Sequence, residues 1–454
     1  MASAIPSSLK QQVEHDTGCV IAAEALRGGG GASRQGAEVI LRAPDGVERR
    51  CYLAWDGRAG DPSRMPYFKR ETAILGALSG ALAASGIKVA PLVGSYPAHL
   101  ALLSEFVAGN DRFPQAENKA ALAADFVSQI AALHRIDASH PALAPLGDPT
   151  EKPSRRIREN IAKWQRMNLA AGADPILQLA LAWLERNVPE DSGPVVVLHG
   201  DAGPGNFLFS GNKVAALIDW ELTHLGDPME DLAQIWVRSL IQPFVPIGEV
   251  FAAYEEATGG QVDLAKVKFH RLYFQLSFSV PSAAAAAAPG SIVGATGTSL
   301  LFGTMHRRIM VRSVADLAGV ALTDPEIPAL EPDWTDRYFA TALDDLQSDI
   351  VPAAGNQRAS AKAKELARLV KFWRRRASYG TQFDAAELAE IKALVPIAPD
   401  TLGMARAALA EAIAAHAVDF AAAVQLCHNR VTRETYVMAE AMGALATTWY
   451  EEIA

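Results

Sequence analysis

The chain has 454 residues, of which 50% are hydrophobic, 20% charged and 7% aromatic. That balance excludes collagen-like, coiled-coil and largely disordered chains and leaves room for two or three compact units. A net charge of −9 argues against a general nucleic-acid binder, and the three widely spaced cysteines Cys19, Cys51 and Cys427 suit neither a disulfide framework nor a closed zinc site.

In chain order, residues 19–26 read as a strand, followed by the four glycines Gly28 to Gly31, a turn that needs unusual backbone angles. Residues 37–42 and 50–55 read as strands around Pro44-Asp45-Gly46. A helix over 67–84 places Ile74, Leu75, Leu78 and Leu82 on one face. Residues 89–96 and 100–107 complete a β-rich first part. From Phe113 the pattern is helical except for a short strand at 195–199 and a hairpin formed by 207–209 and 214–218 around Ser210-Gly211-Asn212. Helices resume at Pro228 and continue to about Val320. Residues 322–333 carry three prolines and read as a linker. Beyond them the chain is helical, with helices over 361–376, 401–427 and 432–452. No fixed-period repeat is present. The opening residues lack a signal-peptide pattern. The most apolar stretch, 278–293, is broken by Pro281, Pro289 and Gly290, so a membrane partner is not expected and a cytoplasmic location is.

Chemistry concentrates in His199-Gly200-Asp201-Ala202-Gly203-Pro204-Gly205-Asn206 and the following Ile218-Asp219-Trp220-Glu221. An Asp, an Asn five residues on, and a second Asp beyond a hairpin suit phosphoryl transfer. A hydroxyl attacking phosphorus must lose its proton, which a nearby carboxylate can take. A polyphosphate needs a hard cation with oxygen ligands, here Mg²⁺. Asp201 is therefore the expected base, and Asn206 and Asp219 the expected metal ligands. His199 is expected to brace the loop.

This string resembles the aminoglycoside phosphotransferase/choline kinase-like family over residues 19–320. The continuation Asp219-Trp-Glu-Leu-Thr-His-Leu-Gly-Asp-Pro-Met-Glu-Asp-Leu-Ala233 is similar to the branch holding the kinase-like domain of long acyl-CoA dehydrogenases. His-Gly-Asp-Ala-Gly-Pro-Gly-Asn-Phe-Leu-Phe resembles bacterial 4-hydroxyacyl-CoA kinases of levulinate catabolism. Asp227 and Asp231 match positions that start the next helix and brace the catalytic loop. The resemblance implies an α+β, bilobal protein-kinase-like fold with ATP and Mg²⁺ as cofactors. Residues 1–109 would form a β-rich, nucleotide-binding lobe and 110–321 a mainly helical lobe that binds the acceptor. The linker 322–333 would lead to an all-α accessory domain at 334–454. It further implies that Gly29, Gly30, Gly31 and Ser33 cover the phosphates, that Glu71 is the glutamate of the first lobe's helix, and that Glu105 and Val107 flank the adenine.

One departure stands out. The third strand of such a fold carries a Lys or Arg paired with that glutamate, yet here it offers Ala54 or Trp55, leaving Arg42, Arg50, Arg58 or Lys69 as substitutes. This departure keeps a nucleotide-binding pseudokinase in play. The expected acceptor is a small molecule, for which a hydroxyacyl-CoA thioester stands beside a sugar, amino alcohol or aminoglycoside. The C-terminal helices, with the basic cluster Arg368, Lys371, Arg374, Arg375 and Arg376, are expected to capture an anionic acceptor or to form a homodimer interface.

Overall fold

The computed structural model describes residues 5–27, 34–331 and 334–453. They fall into two compact units, one drawn from residues 1–153, 191–267 and 451–454, the other from 154–190 and 268–450.

The first unit opens with helix α1 (Ser7–Thr17) and an antiparallel sheet of β1 (Val20–Arg27), β2 (Gln35–Arg42), β3 (Glu48–Trp55), β4 (Leu92–Tyr96) and β5 (Ala101–Glu105), in the order β1-β2-β3-β5-β4. Alternation along β2 and β3 sends Ala37, Val39 and Leu41, and Cys51, Leu53 and Trp55, into one apolar core with Leu9 and Val13 of α1. Sequence pattern gave no sign of α1, because Leu9 and Val13 are its only buried residues. Helix α2 (Met65–Ser79) buries Glu71, Ile74, Leu75 and Leu78 and stops before Gly80, five residues short of its expected end. Helix α3 (Lys119–His134) follows. After α4 (Pro153–Ala170) and α5 (Pro175–Arg186), which belong to the second unit apart from Pro153, the chain returns with β6 (Val196–Leu198) and the hairpin β7 (Phe207–Ser210) and β8 (Lys213–Leu217). Strand β9 (His224–Gly226) pairs antiparallel with β6; at three residues it is too short to announce itself by alternation. Helices α6 (Met229–Ser239) and α7 (Ile247–Thr258) complete the unit, with the first turn of α8 (Leu264–Ala287).

The second unit joins α4, α5, the rest of α8 and α9 (Gly297–Ala318) to α10 (Asp336–Asp345), the single turn α11 (Val351–Ala353), α12 (Gln357–Leu394), α13 (Leu402–Ala414) and α14 (Phe420–Met442). Ile161, Leu181, Leu276, Val311, Leu409 and Val424 lie in one buried cluster. Helices on both sides of the proline-rich stretch therefore share a core, and the two units divide the chain differently from the segments expected above. The stretch itself has no helix or strand between 320 and 331. Paired hydrogen bonds hold it to α14: Thr323 N–H to Gln425 Oε1 (3.0 Å) and Gln425 Nε2 to Thr323 O (2.7 Å). The single helix expected over 401–427 is two. His416 takes a left-handed conformation (φ 55°), and Asp419 then caps α14 by accepting from Ala422 N–H at 2.8 Å. No helix among the described residues is long and apolar enough to cross a membrane.

Four of the five cations of the basic α12 cluster are paired with carboxylates within this unit. Arg374 pairs with Asp336 (2.6 Å), Arg376 with Asp384 (2.5 Å), Arg368 with Glu365 (2.5 Å) and Lys371 with Glu440 (3.5 Å), while Arg375 lies over the Tyr436 ring. A cavity of about 370 Å³ is lined by Arg307, Arg376, Arg406, Arg430 and Arg433. Asp174, Asp384, Glu387, Glu390 and Glu434 match them, so it carries no surplus of positive charge.

Candidate active site

Strand β6 delivers the chain into the loop 199–206, and α6 holds that loop from behind. Asp231, fully buried on α6, accepts from the His199 and Gly200 amides at 2.9 and 3.0 Å and meets His134 Nε2 at 3.0 Å. Burial alone would raise the Asp231 pKa; the hydrogen bond and charge of His134, with the His199 amide, hold it below the usual carboxylate value. Gln234 Oε1, one turn on, accepts from the Ala202 amide at 3.0 Å. His199 is buried against Trp220, with ring centroids 4.6 Å apart. Its Nδ1 accepts from the Asp201 amide, so its Nε2 donates to Ile218 O at 3.0 Å. Burial lowers its pKa, and a neutral ring used at both nitrogens is a brace, as expected from the sequence.

Gly200 is required here by space as well as by angle. At φ 84°, a Cβ would stand 2.0 Å from Leu222 O, a backbone atom that cannot step aside. Gly200→Ala is expected to cost about 2–3 kcal/mol in chemical denaturation, from a left-handed alanine and a displaced chain; a loss under 0.5 kcal/mol would show that the loop relaxes freely.

Asp201 itself keeps part of its side chain exposed, 17%. Both its carboxylate oxygens accept from Arg238 Nη1 at 2.8 Å, and Oδ2 also accepts from Asn206 Nδ2 at 2.7 Å. Asn206 Nδ2 reaches Asp201 O as well (2.8 Å), which orients the amide and turns Oδ1 towards Arg238 Nη2 at 3.1 Å. The hairpin β7–β8 then returns the chain to Asp219, which adopts a left-handed conformation (φ 67°), an arrangement that non-glycine residues keep mainly where surrounding structure imposes it. Its carboxylate is open to solvent on one side and crowded by protein on the others. Partial burial, followed by the charges of Glu221, Asp201 and Glu71, pushes its pKa up to about 6.

Opposite this group, Glu71 of α2 forms an ion pair with Arg34, the residue before β2. Burial pushes the Glu71 carboxyl up, while Arg34 pulls against that shift. Burial works against Arg34 also, and Glu71 overrides it to hold the guanidinium charged. Arg64 bridges the buried Asp56 (2.9 Å) and Glu221 (3.1 Å), tying the end of β3 to the segment that carries Asp219.

Residues 41–270, just over half of the chain, match the family model described as APH, phosphotransferase enzyme family. The chain belongs to the APH phosphotransferase family. It is accordingly a phosphotransferase with a kinase-like fold. A protein of Ralstonia eutropha JMP134, provisionally described as an aminoglycoside phosphotransferase, has a similar structure, with a TM-score of 0.53 at 18% identity over 69% of this chain and 98% of that one. That likeness bears on the fold alone. Among curated proteins, acyl-CoA dehydrogenase family member 11 of Rattus norvegicus is 28% identical over 131 residues, 27% of this chain and 16% of the relative. The Gallus gallus protein of the same name is 35% identical over 80 residues, 17% of this chain and 10% of the relative. The matched stretch is thus a sixth or less of the length of these curated relatives.

The structure brings Asp201 and Asn206 into direct contact, and places Asp219, and Glu71 from a distant part of the sequence, close enough for their charges to act on one another. Glu105 closes β5 and pairs with Arg49. Among the described residues no group hydrogen-bonds the half-buried Val107 amide. Gly29, Gly30, Gly31 and Ser33 lie outside the described residues. The cation beside Glu71 is none of the four proposed substitutes. Arg42 pairs with Glu48, Arg50 with Glu38 and Arg58 with Asp56, and Arg34 takes the place beside Glu71. The register accounts for it: β2 and β3 pair Gln35 with Trp55, so residue 34 lies beside the point where the third strand lacks its cation. Arg238 was also missed, since an arginine on an amphipathic helix reads as a solvated residue.

Proposed function

We propose that the chain is an ATP- and Mg²⁺-dependent kinase of a small-molecule hydroxyl, with a hydroxyacyl-CoA as the acceptor. The arrangement of Asp201 and Asn206 on a loop braced by Asp231, with Asp219 returned beside them by the β7–β8 hairpin, carries this reading. The oxygen donors suit Mg²⁺: Asp219 is a crowded carboxylate with a raised pKa and, among the described residues, no ion-pair or hydrogen-bond partner, the electrostatic state that a divalent cation relieves. Asn206 Oδ1 and the Asp219 carboxylate would hold the ion, which when bound neutralises phosphate charge. The unpaired Val107 amide suits the edge of an adenine, and Arg34, held charged by Glu71, suits the phosphates.

In the transfer, Asp201 orients the acceptor hydroxyl and takes its proton as the acceptor oxygen bonds to the γ-phosphorus. The bond from that phosphorus to the β,γ-bridging oxygen breaks, and ADP leaves. Asn206 and Arg238 both donate to Oδ2, whereas Oδ1 accepts from Arg238 alone and keeps a lone pair for the hydroxyl.

The acyl-CoA acceptor is supported by the likeness to proteins named acyl-CoA dehydrogenase family members. The α12 cluster, with four of its five cations paired to carboxylates, gives it no added support. Incubating the protein with Mg-ATP and a panel of hydroxyacyl-CoAs, sugars, amino alcohols and aminoglycosides tests the choice by mass spectrometry. A hydroxyacyl-CoA should be phosphorylated with kcat/KM at least about tenfold above the other classes, and a preference for any other class would replace it.

A further inference from the structure

Arg238 is partly buried, with 21% of its side chain exposed, and its guanidinium is wholly occupied by the catalytic loop. Nη1 donates to both Asp201 oxygens, Nη2 to Asn206 Oδ1 and Pro204 O, and Nε to Pro204 O. One planar cation thus fixes the expected base, the expected metal-ligating amide and the backbone between them. The loop is shaped to admit it. Gly203 has φ 146°, and a Cβ there would stand 2.8 Å from Arg238 Cδ and 3.1 Å from Arg238 Cβ. A side chain at position 203 would push the arginine out.

We propose that Arg238 is a positioning residue for phosphoryl transfer, which sets the rotamers of Asp201 and Asn206 together and so prepares the amide oxygen for the metal ion. This rests on the assignment of Asn206 as a metal ligand. Two features favour arginine over any other residue. Its five donors in a rigid fork reach four acceptor atoms on three residues at once, which a lysine ammonium cannot do. An amide oxygen has two lone pairs, so Asn206 Oδ1 can accept from Nη2 and still offer one to a cation. Partners that orient a metal ligand from behind typically change metal affinity or activity by about 10–100-fold when removed.

Binding of Mn²⁺ with a non-hydrolysable ATP analogue, measured by calorimetry, reads this without turnover. Arg238→Ala should weaken that complex about tenfold or more and lower kcat by a similar factor. Low-millimolar guanidinium chloride should restore a substantial part of both, because the ion fits the space beside Gly203. A purely structural arginine would lower the melting temperature and show no such rescue. If Arg238→Ala fails to fold, Arg238→Lys decides, with a smaller loss of affinity in the same direction expected. Unchanged or tighter metal–nucleotide binding in the folded variant would overturn the proposal. Normal turnover in Asp201→Asn alongside weakened binding in Arg238→Ala would remove Asp201 as base and leave Arg238 in its role.

Discussion

Asp201→Asn should lower kcat by at least about 10²-fold, the usual reach of general-base catalysis, while metal-dependent nucleotide binding stays within a few-fold of the wild-type value. The amide has the shape of the carboxylate, and with its oxygen at the Oδ2 position it still accepts from both Arg238 and Asn206, losing only the Arg238 contact at Oδ1, where the NH2 cannot accept. Fold and loop geometry should therefore survive. What is lost is the capacity to hold a proton at the carboxylate oxygen facing the acceptor. Steady-state kinetics combined with calorimetry separates the two effects. Near-normal kcat in a variant of normal stability would remove Asp201 from the chemistry.

Asp231→Ala should destabilise the protein by about 3–5 kcal/mol, because three groups lose one acceptor at once. The His199 and Gly200 amides and His134 Nε2 all depend on that carboxylate, and each buried polar group left unpaired costs about 1–3 kcal/mol. Denaturant unfolding measures the difference, and a loss below 1 kcal/mol would mean that water or a shifted loop replaces the acceptor. The pH dependence has a fixed sign. The Asp231 pKa is lower in the folded than in the unfolded chain, so its ionised form stabilises the fold above the ordinary carboxylate pKa. That contribution is lost as pH falls through the lowered value. The gap between wild type and Asp231→Ala should therefore be steady near neutrality and narrow only in acid. Asp231→Asn, which keeps one acceptor, should fall between them.

The string that holds the candidate base and metal ligands stands out in the sequence because Asp201, Asn206 and Asp219 lie within 19 positions of one another and their chemistry is specific. The sheet was legible because alternation along β2 and β3 is regular. The groups that escaped were those made significant by tertiary contact. Arg34 lies three residues after Gly31 and reads as a polar loop residue until the β2–β3 register places it next to the Gln35–Trp55 pair. Arg238 reads as the outer face of α6 until its five hydrogen bonds are seen. The break between α13 and α14 follows from a single left-handed histidine, which helix periodicity does not register. The shared core of the second unit joins α5 to α14, residues more than 200 positions apart, a pairing that local pattern does not encode. Arg374, Arg376 and Lys371 of α12 read as a free basic face because their acidic partners Asp336, Asp384 and Glu440 are distant in sequence or on other turns.

Transfer of radiolabel from γ-labelled ATP to an acceptor hydroxyl tests the kinase reading most directly, run with wild type and Asp201→Asn and with magnesium present or chelated. Label should appear on an acceptor in the wild-type reaction with magnesium, fall at least about 10²-fold in the variant, and vanish with chelator. Metal-dependent nucleotide binding without label on any acceptor class, or equal transfer by Asp201→Asn, would contradict it.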